Sequence, residues 1–206
     1  MSNERLNSII DRLIASKDNG ETRDIYADWA ASYDTDLDGF GYVAPQTGVK
    51  LLVDLVPNKS AALFDVGCGT GLVGQKLAQA GFTNIEGGDF SADMLEKASA
   101  LNVYRQLHAI DLMTVIPLRD NAYDAAICIG VYSSRFKENF FREIVRILKS
   151  KAPFVVSIRP HYFEDDVKPQ LDTMVAKQII TDLTISNQPY MNGQAASAFY
   201  ITFRKT

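Results

Sequence analysis

The first hydrophobic pattern along the chain is helical. Leu6, Ile9, Ile10, Leu13 and Ile14 recur at i, i+3, i+4, i+7 and i+8, which predicts an amphipathic helix from about Glu4 to Ser16 packed on the rest of the fold. From Asp24 to Tyr42 the pattern loosens, and aromatic residues (Tyr26, Trp29, Tyr33, Phe40, Tyr42) mix with Asp24, Asp28, Asp34, Asp36 and Asp38. Two readings suit this segment: a helix that buries Tyr26, Trp29 and Tyr33 on one face, or a cover laid over a site. Pro45 opens a further helix, whose stripe of Val49, Leu52, Val53 and Val56 stops at Pro57.

Beyond the turn at 57–60 short apolar runs alternate with helical stripes. Ala61 to Val66 reads as a strand, Leu72 to Ala80 as a helix closed by Gly81, and Thr83 to Asp89 as a second strand. Ser91 is placed to cap a helix over Ala92 to Ala100. Strand, helix and strand in this length imply a right-handed parallel unit. Tyr104 to Ile110, Tyr123 to Ile129 and Phe154 to Ile158 continue as strands, and Phe140 to Leu148 forms a helix with a broad apolar face. After Pro160 the order changes. A helix starts at Pro169, then Gln178 to Ser186 and Ala198 to Arg204 read as antiparallel strands joined through Asn192-Gly193. The predicted fold is α/β: an open, mostly parallel Rossmann-like sheet with helices on both faces and an antiparallel C-terminal edge.

Composition narrows the picture. With 206 residues, 47% hydrophobic, and no Pro-, Gly- or Ser-rich linker, one domain over 1–206 is expected: a helical covering segment at 1–45 and the sheet core at 46–206. The net charge of -4 and the lack of any Lys/Arg run argue against nucleic acid as a partner. Cys68 lies in a glycine turn and Cys128 in an apolar run, a usage that fits a reducing compartment. Glu4, Arg5, Asp11 and Arg12 interrupt any signal-like stretch and no run reaches the roughly 18 apolar residues of a membrane span, so a cytoplasmic location without a membrane partner is expected. His108, His161 and two separated cysteines offer no metal-ligand spacing.

The chemistry centres on Leu63 to Gly74. Gly67, Gly69 and Gly71 make GxGxG, while Gly69, Gly71 and Gly74 also satisfy GxGxxG, the dinucleotide fingerprint. Taking Gly67 as the first glycine ends the strand at Asp65-Val66, with a carboxylate at its tip beside bare backbone. That suits a ligand carrying an ammonium group, whereas a pyrophosphate would be repelled. Asp89, ending the second strand, suits ribose hydroxyls under either reading.

These residues resemble a known family. Asp65-Val66-Gly67-Cys68-Gly69-Thr70-Gly71 is similar to motif I of the class I S-adenosylmethionine-dependent methyltransferases, and Gly88-Asp89-Phe90-Ser91-Ala92-Asp93-Met94-Leu95 to their second-strand motif. Asp28 to Asp34, Gly41 to Pro45, Tyr104-Arg105, Gly130-Val131-Tyr132 and Arg142 to Lys149 resemble the Williams-Beuren-region methyltransferase-like group. The resemblance implies S-adenosylmethionine as cofactor. It implies that Asp65 neighbours the methionine ammonium and that Gly67, Cys68, Gly69, Gly71 and Leu72 lie along the methionine and ribose. Asp89 would take the ribose hydroxyls, Phe90, Met94 and Leu112 would pack on the adenine, Asp111 would accept its amine, and Gly130 would face the methionine. Tyr26, Trp29, Tyr33 and Tyr42 fall in the part that closes over the cofactor in that group. One departure is local: Lys149-Ser150-Lys151-Ala152-Pro153 stands where relatives carry Lys-Pro-Gly-Gly, which puts that turn's geometry in doubt.

Methyl transfer from a sulfonium is an in-line displacement that asks the protein to align the reacting atoms and exclude water. Tyr132 after the fourth strand, with Arg159 and His161 after the fifth, are the acceptor-side candidates; His108 is expected to be satisfied within the third strand. Gly130-Val131-Tyr132-Ser133-Ser134 lacks the Asn/Asp-Pro-Pro-aromatic motif of enzymes that methylate nucleic-acid bases, which favours a small molecule or a protein side chain as acceptor. Two other readings remain: a non-catalytic S-adenosylmethionine-binding module that works through a partner, and a nicotinamide-dependent oxidoreductase.

Overall fold

A computed structural model of the chain describes residues 8–9, 12–13, 15–16, 19–136, 139–192 and 196–206. Of the N-terminal stripe, Leu6, Ile10 and Ile14 lie outside the described residues, as does Gly193 of the expected hairpin turn. Ile9 is buried in a small cluster with Ile25, Trp29, Leu37 and Met191, against which Leu13 packs.

Three helices lead into the sheet: α1 (Asn19–Ala30), α2 (Tyr33–Gly39) and α3 (Ala44–Leu55), the last with Pro45 in its first turn. Next come β1 (Leu63–Val66), α4 (Leu72–Gln79), β2 (Ile85–Asp89), α5 (Ala92–Ala100) and β3 (Gln106–Ala109). β4 (Ala125–Cys128), α6 (Asn139–Ile147), β5 (Pro153–Ile158), α7 (Lys168–Ala176), β6 (Ile180–Pro189) and β7 (Ser197–Lys205) complete the order. The sheet runs β3-β2-β1-β4-β5-β7-β6. β1 to β5 are parallel, and β7 pairs antiparallel with both β5 and β6. The strand order reverses between β1 and β4, which leaves a crevice at the carboxyl ends of these two strands.

Alternation of side chains across the sheet explains the two cores. Phe64 and Val66 of β1 face a cluster with Ala126, Cys128, Phe154, Val156 and the apolar side of α6, including Phe140, Phe141 and Ile144. Leu63 faces the opposite cluster with Ile127, Val155, Leu52 of α3 and Leu77 of α4. Asp65 is on the Leu63 side by the same alternation. A carboxylate is thus turned toward a helix-covered face, where it must find a donor.

Local signals fold as the sequence leads one to expect. Ser91 Oγ accepts from the Met94 amide (3.4 Å) at the start of α5, and Gly81 takes the left-handed conformation (φ +92°) after α4. The third strand is shorter than its apolar run. Tyr104 lies before it and turns its hydroxyl to Asp65 (2.7 Å). His108 stays in β3 with Nε2 2.9 Å from Glu86 Oε2. The unusual turn before β5 is held by Lys151, whose φ of +64° is the conformation a glycine would adopt there freely, and whose amide donates to Lys205 O.

The C-terminal hairpin also reaches the N-terminal segment. The Val43 amide donates to Tyr190 O (3.2 Å), the Asn192 amide donates to Gly41 O (2.7 Å), and Tyr42 bridges Met191.

Candidate functional site

The glycine turn after β1 is closed on itself. The Gly67 and Cys68 amides both donate to Gly88 O (2.8 and 3.0 Å), the Gly71 amide donates to Cys68 O, and the Gly69 amide donates to Asp89 Oδ2 (3.0 Å). Asp89 Oδ1 accepts from the Ser91 amide (2.9 Å). Burial raises the Asp89 carboxyl, and these amides oppose the shift. A turn built this way has few free donors for an anion and presents a carboxylate instead.

Each glycine serves a different purpose. A Cβ on Gly69 (φ +53°) would meet nothing within 4 Å, so this backbone faces open space. A Cβ on Gly67 would strike Val131, one on Gly71 would strike Leu101, and one on Gly74 would fall 2.1 Å from the Tyr104 hydroxyl. Gly71 and Gly74 are therefore packing glycines beneath the turn.

Asp65 belongs to that lower layer. It is 1% exposed, its Oδ2 accepts from Tyr104, and its Oδ1 has no hydrogen-bond partner among the described residues. Burial pushes its carboxyl up to about 7; the Tyr104 hydroxyl opposes the shift and the nearby Asp89 adds to it.

Above the turn lies a cavity of about 230 Å³. Of the expected cofactor residues, its walls bring together Tyr26, Trp29, Tyr33, Tyr42, Gly67, Cys68, Gly69, Leu72, Asp89, Phe90, Met94, Asp111, Leu112 and Gly130. Asp65 and Gly71 do not reach the walls. Tyr132 and Arg159 of the acceptor-side candidates line the cavity; His161 does not. His161 is exposed, because Pro160 starts a short helical turn after β5 that points Tyr162 inward and leaves the imidazole outside, tilted against the Tyr162 ring. His161 is thus not brought together with Tyr132 and Arg159 at the cavity wall.

The segment 19–43 forms a roof. Tyr26, Trp29 and Tyr33 pack on one another, and Tyr26 meets Phe90 edge-on (6.2 Å between centroids). Trp29 Nε1 donates to the buried Asp36 (2.9 Å), which shapes the α1–α2 corner. The roof is fastened at two points: Thr70 Oγ1 donates to Asp34 (2.6 Å) and Arg135 Nη2 donates to Thr22 Oγ1 (2.8 Å). Both readings of this segment meet here, since the same aromatic rings are packed together and line the cavity. Burial pushes the Tyr26 hydroxyl up to about 12.

On the far wall, Gly130 (φ +78°) follows β4 with its amide held by buried Ser157 Oγ (2.9 Å). A Cβ there would strike the hydroxyls of Tyr42 and Tyr190. Tyr190, Met191, Thr22 and Tyr162 also line the cavity, although nothing in their sequence positions marked them, and so does Arg135. Arg135 carried the one available signal, a cation in the loop just past the β4 exit.

Comparison with known proteins follows the geometry. Residues 64–156 match a methyltransferase domain family. Methyltransferase-like protein 27 of Homo sapiens is 37% identical over 111 residues, 52% of this chain and 45% of that protein, so the chain spans about half the length of this curated relative. A TehB-like S-adenosylmethionine-dependent methyltransferase from Corynebacterium glutamicum superposes with a TM-score of 0.64 at 19% identity, over 88% of this chain and 98% of that one. Magnesium protoporphyrin IX methyltransferase from Synechocystis, solved with bound S-adenosylmethionine, gives 0.62 at 19% identity over 93% and 99%. At such identities the structures speak for the fold alone, and the domain match covers the central part of the chain, residues 64–156. Residues 64–156 are thus similar to a methyltransferase domain, within a fold shared with S-adenosylmethionine-dependent methyltransferases.

Proposed function

We propose that the protein transfers a methyl group directly from S-adenosylmethionine to a small molecule or a protein side chain. The observation that carries this reading is the self-satisfied glycine turn. Its amides are occupied by Gly88 O and by the Asp89 carboxylate, which suits a neutral or cationic ligand and disfavours the pyrophosphate of a nicotinamide cofactor.

The residues present fit the cofactor. Gly69 leaves room for a ligand against the backbone, Asp89 keeps lone pairs for ribose hydroxyls, and Phe90, Met94 and Leu112 offer an apolar seat for adenine near Asp111. Asp65, with one buried oxygen lacking a partner among the described residues, would bias the methionine end toward positive charge from below the turn. When bound, S-adenosylmethionine supplies an electrophilic methyl carbon on a sulfonium. The roof of Tyr26, Trp29, Tyr33 and Tyr42 excludes water, and Ser157 fixes the Gly130 backbone on the acceptor side. Tyr132 lends its ring to the cavity wall, and its buried hydroxyl, pushed up to about 12, keeps its proton at neutral pH. No histidine is among the described lining residues, so the site suits a nucleophile that already carries a lone pair at working pH.

The test is incubation with methyl-labelled S-adenosylmethionine and a cell extract, alongside titration with S-adenosylhomocysteine and with NADH. Label on an acceptor is the expected result. Saturable S-adenosylhomocysteine binding without transfer to any fraction would favour the non-catalytic binding module, and binding of NADH alone would overturn the cofactor assignment.

A further inference from the structure

The cavity is electrically divided. Asp89 ends β2 and Asp111 follows β3, on one side of the glycine turn; Arg135 follows β4 and Arg159 follows β5, on the other. With β1 between them in the sheet, the acids stand at the adenosine end and the guanidinium groups at the opposite end.

Neither arginine is neutralised by a carboxylate among the described residues. Among the described residues no carboxylate lies within ion-pair distance of either one, whereas Arg146 elsewhere in the molecule pairs with both Glu143 and Asp120. Arg135 donates one bond to Thr22, and its Nη1 is buried without a partner among the described residues. Arg159 has the Tyr162 hydroxyl at 3.4 Å and the Tyr162 ring 5.4 Å away. A guanidinium offers five donors in a planar fork that matches an oxyanion, so two such groups at the wall of a cavity form an incomplete recognition site.

One oxyanion can come from the cofactor itself, because the methionine moiety carries a carboxylate. That accounts for one fork. Arg135 lies in the same β4-exit loop as Gly130 and is tied to the roof through Thr22, which places it on the methionine path. Arg159 stands one strand farther from the acids, beside Tyr132 and Tyr162, whose rings are 5.8 Å apart.

We infer that Arg159 is the anchor for the methyl acceptor, and that this acceptor is a small molecule bearing an oxyanion, a carboxylate or a phosphate, with an apolar or aromatic body that packs on Tyr132 and Tyr162. The inference rests on the methyl-transfer reading above. A small molecule is specified because the cavity is roofed by the covering helices and by Tyr190 and Met191 of the C-terminal hairpin.

The test divides a cell extract, before reaction, into protein, small molecules retained by an anion-exchange resin, and small molecules that pass through. Each fraction is incubated with the full chain and methyl-labelled S-adenosylmethionine. Label is expected in the retained fraction, and phosphatase treatment of that fraction abolishes it for a phosphate acceptor and spares it for a carboxylate. Arg159→Gln is expected to lower labelling about 100-fold, the loss expected when one partner of a hydrogen-bonded charge pair enclosed on binding is removed. Arg159→Lys, which keeps the charge without the fork, is expected to lower it about tenfold. In both variants S-adenosylhomocysteine affinity is expected to stay within about threefold of wild type, while Arg135→Gln weakens it about tenfold and leaves 5′-methylthioadenosine binding unchanged. Label in the pass-through or protein fraction would overturn the inference and leave methyl transfer standing. If Arg159→Lys weakened S-adenosylhomocysteine but not 5′-methylthioadenosine, Arg159 would be the cofactor's carboxylate partner and the inference would fall. Absence of label from every fraction, with S-adenosylhomocysteine still bound, would remove the methyl-transfer reading and this inference with it.

Discussion

Gly69 and Lys151 both hold left-handed backbone, and they differ in what surrounds them. A methyl group on Gly69 would project into empty cavity, so Gly69→Ala is expected to cost about 1 kcal/mol of stability from the backbone alone. The same change should weaken S-adenosylhomocysteine about tenfold by calorimetry, through loss of about 1.4 kcal/mol of close approach. Unchanged affinity would place the ligand away from this turn. Lys151 bears the backbone penalty without a cavity to serve. Lys151→Gly is expected to raise stability by about 1 kcal/mol in a denaturant titration, offset in part by the unfolded-state entropy of glycine. This turn shows what a family pattern can and cannot tell: the substitution was visible in the sequence, but a lysine holding a glycine's conformation was not. The glycine turn, Asp89 and the Ser91 cap were legible because their chemistry is local. Asp65 was half legible. Its place at the strand tip was evident, while its turn toward Tyr104, 39 positions away in the chain, depends on which face of the sheet the helices cover.

At the scale of elements, the roof formed by α1 and α2 is fastened to the glycine turn by a single short bond from buried Thr70 to exposed Asp34. Loosening this fastener should change how long a ligand stays more than how well the sheet folds. Trp29, the only tryptophan in the chain, sits in the roof and lines the cavity, so its fluorescence reports on the event. Asp34→Ala is expected to speed S-adenosylhomocysteine release about fivefold in stopped flow, corresponding to about 1 kcal/mol for a lost hydrogen bond. An unaltered release rate would mean the roof does not gate the site. The aromatic and acidic composition of 24–42 suited either a cover or a helix burying its rings on one face, and the rings both pack together and line the cavity. The hairpin's share in the same enclosure, through Tyr190 and Met191, went unseen because it requires a contact across about three quarters of the chain, which no local pattern encodes.

For the molecule as a whole, the buried carboxylate of Asp65 ties stability to pH. Its folded value of about 7 lies above the usual carboxyl value of 3.8, so the folded state holds the proton more tightly than the unfolded chain. The resulting stabilisation is complete below about pH 4 and is lost as pH rises through about 7. Asp65→Asn keeps a neutral side chain at every pH. It is expected to melt above wild type at pH 8 and to approach wild type near pH 4, on a scale of a few kcal/mol at most. A pH-independent difference would show that Asp65 ionises freely in the fold. The mostly parallel sheet and its antiparallel edge were readable from the alternation of strand and helix signals and their breakdown after Pro160. The two-ended charge of the cavity was not, since it follows from strand order, which sets β4 and β5 on the opposite side of β1 from β2 and β3.

The stitching of 41–43 to 190–192 bears on how the sequence can drift. Those links run between amides and carbonyls, which every residue except proline supplies, so most side chains at these positions can vary without unfastening the enclosure. Gly41 is the exception. It sits at φ +66° with a prospective Cβ 3.1 Å from Asn192 Cβ, so among substitutions across the seam, those at Gly41 should be the ones poorly tolerated. The cavity-lining side chains of Tyr42, Tyr190 and Met191 can then change while the backbone closure that holds them is kept.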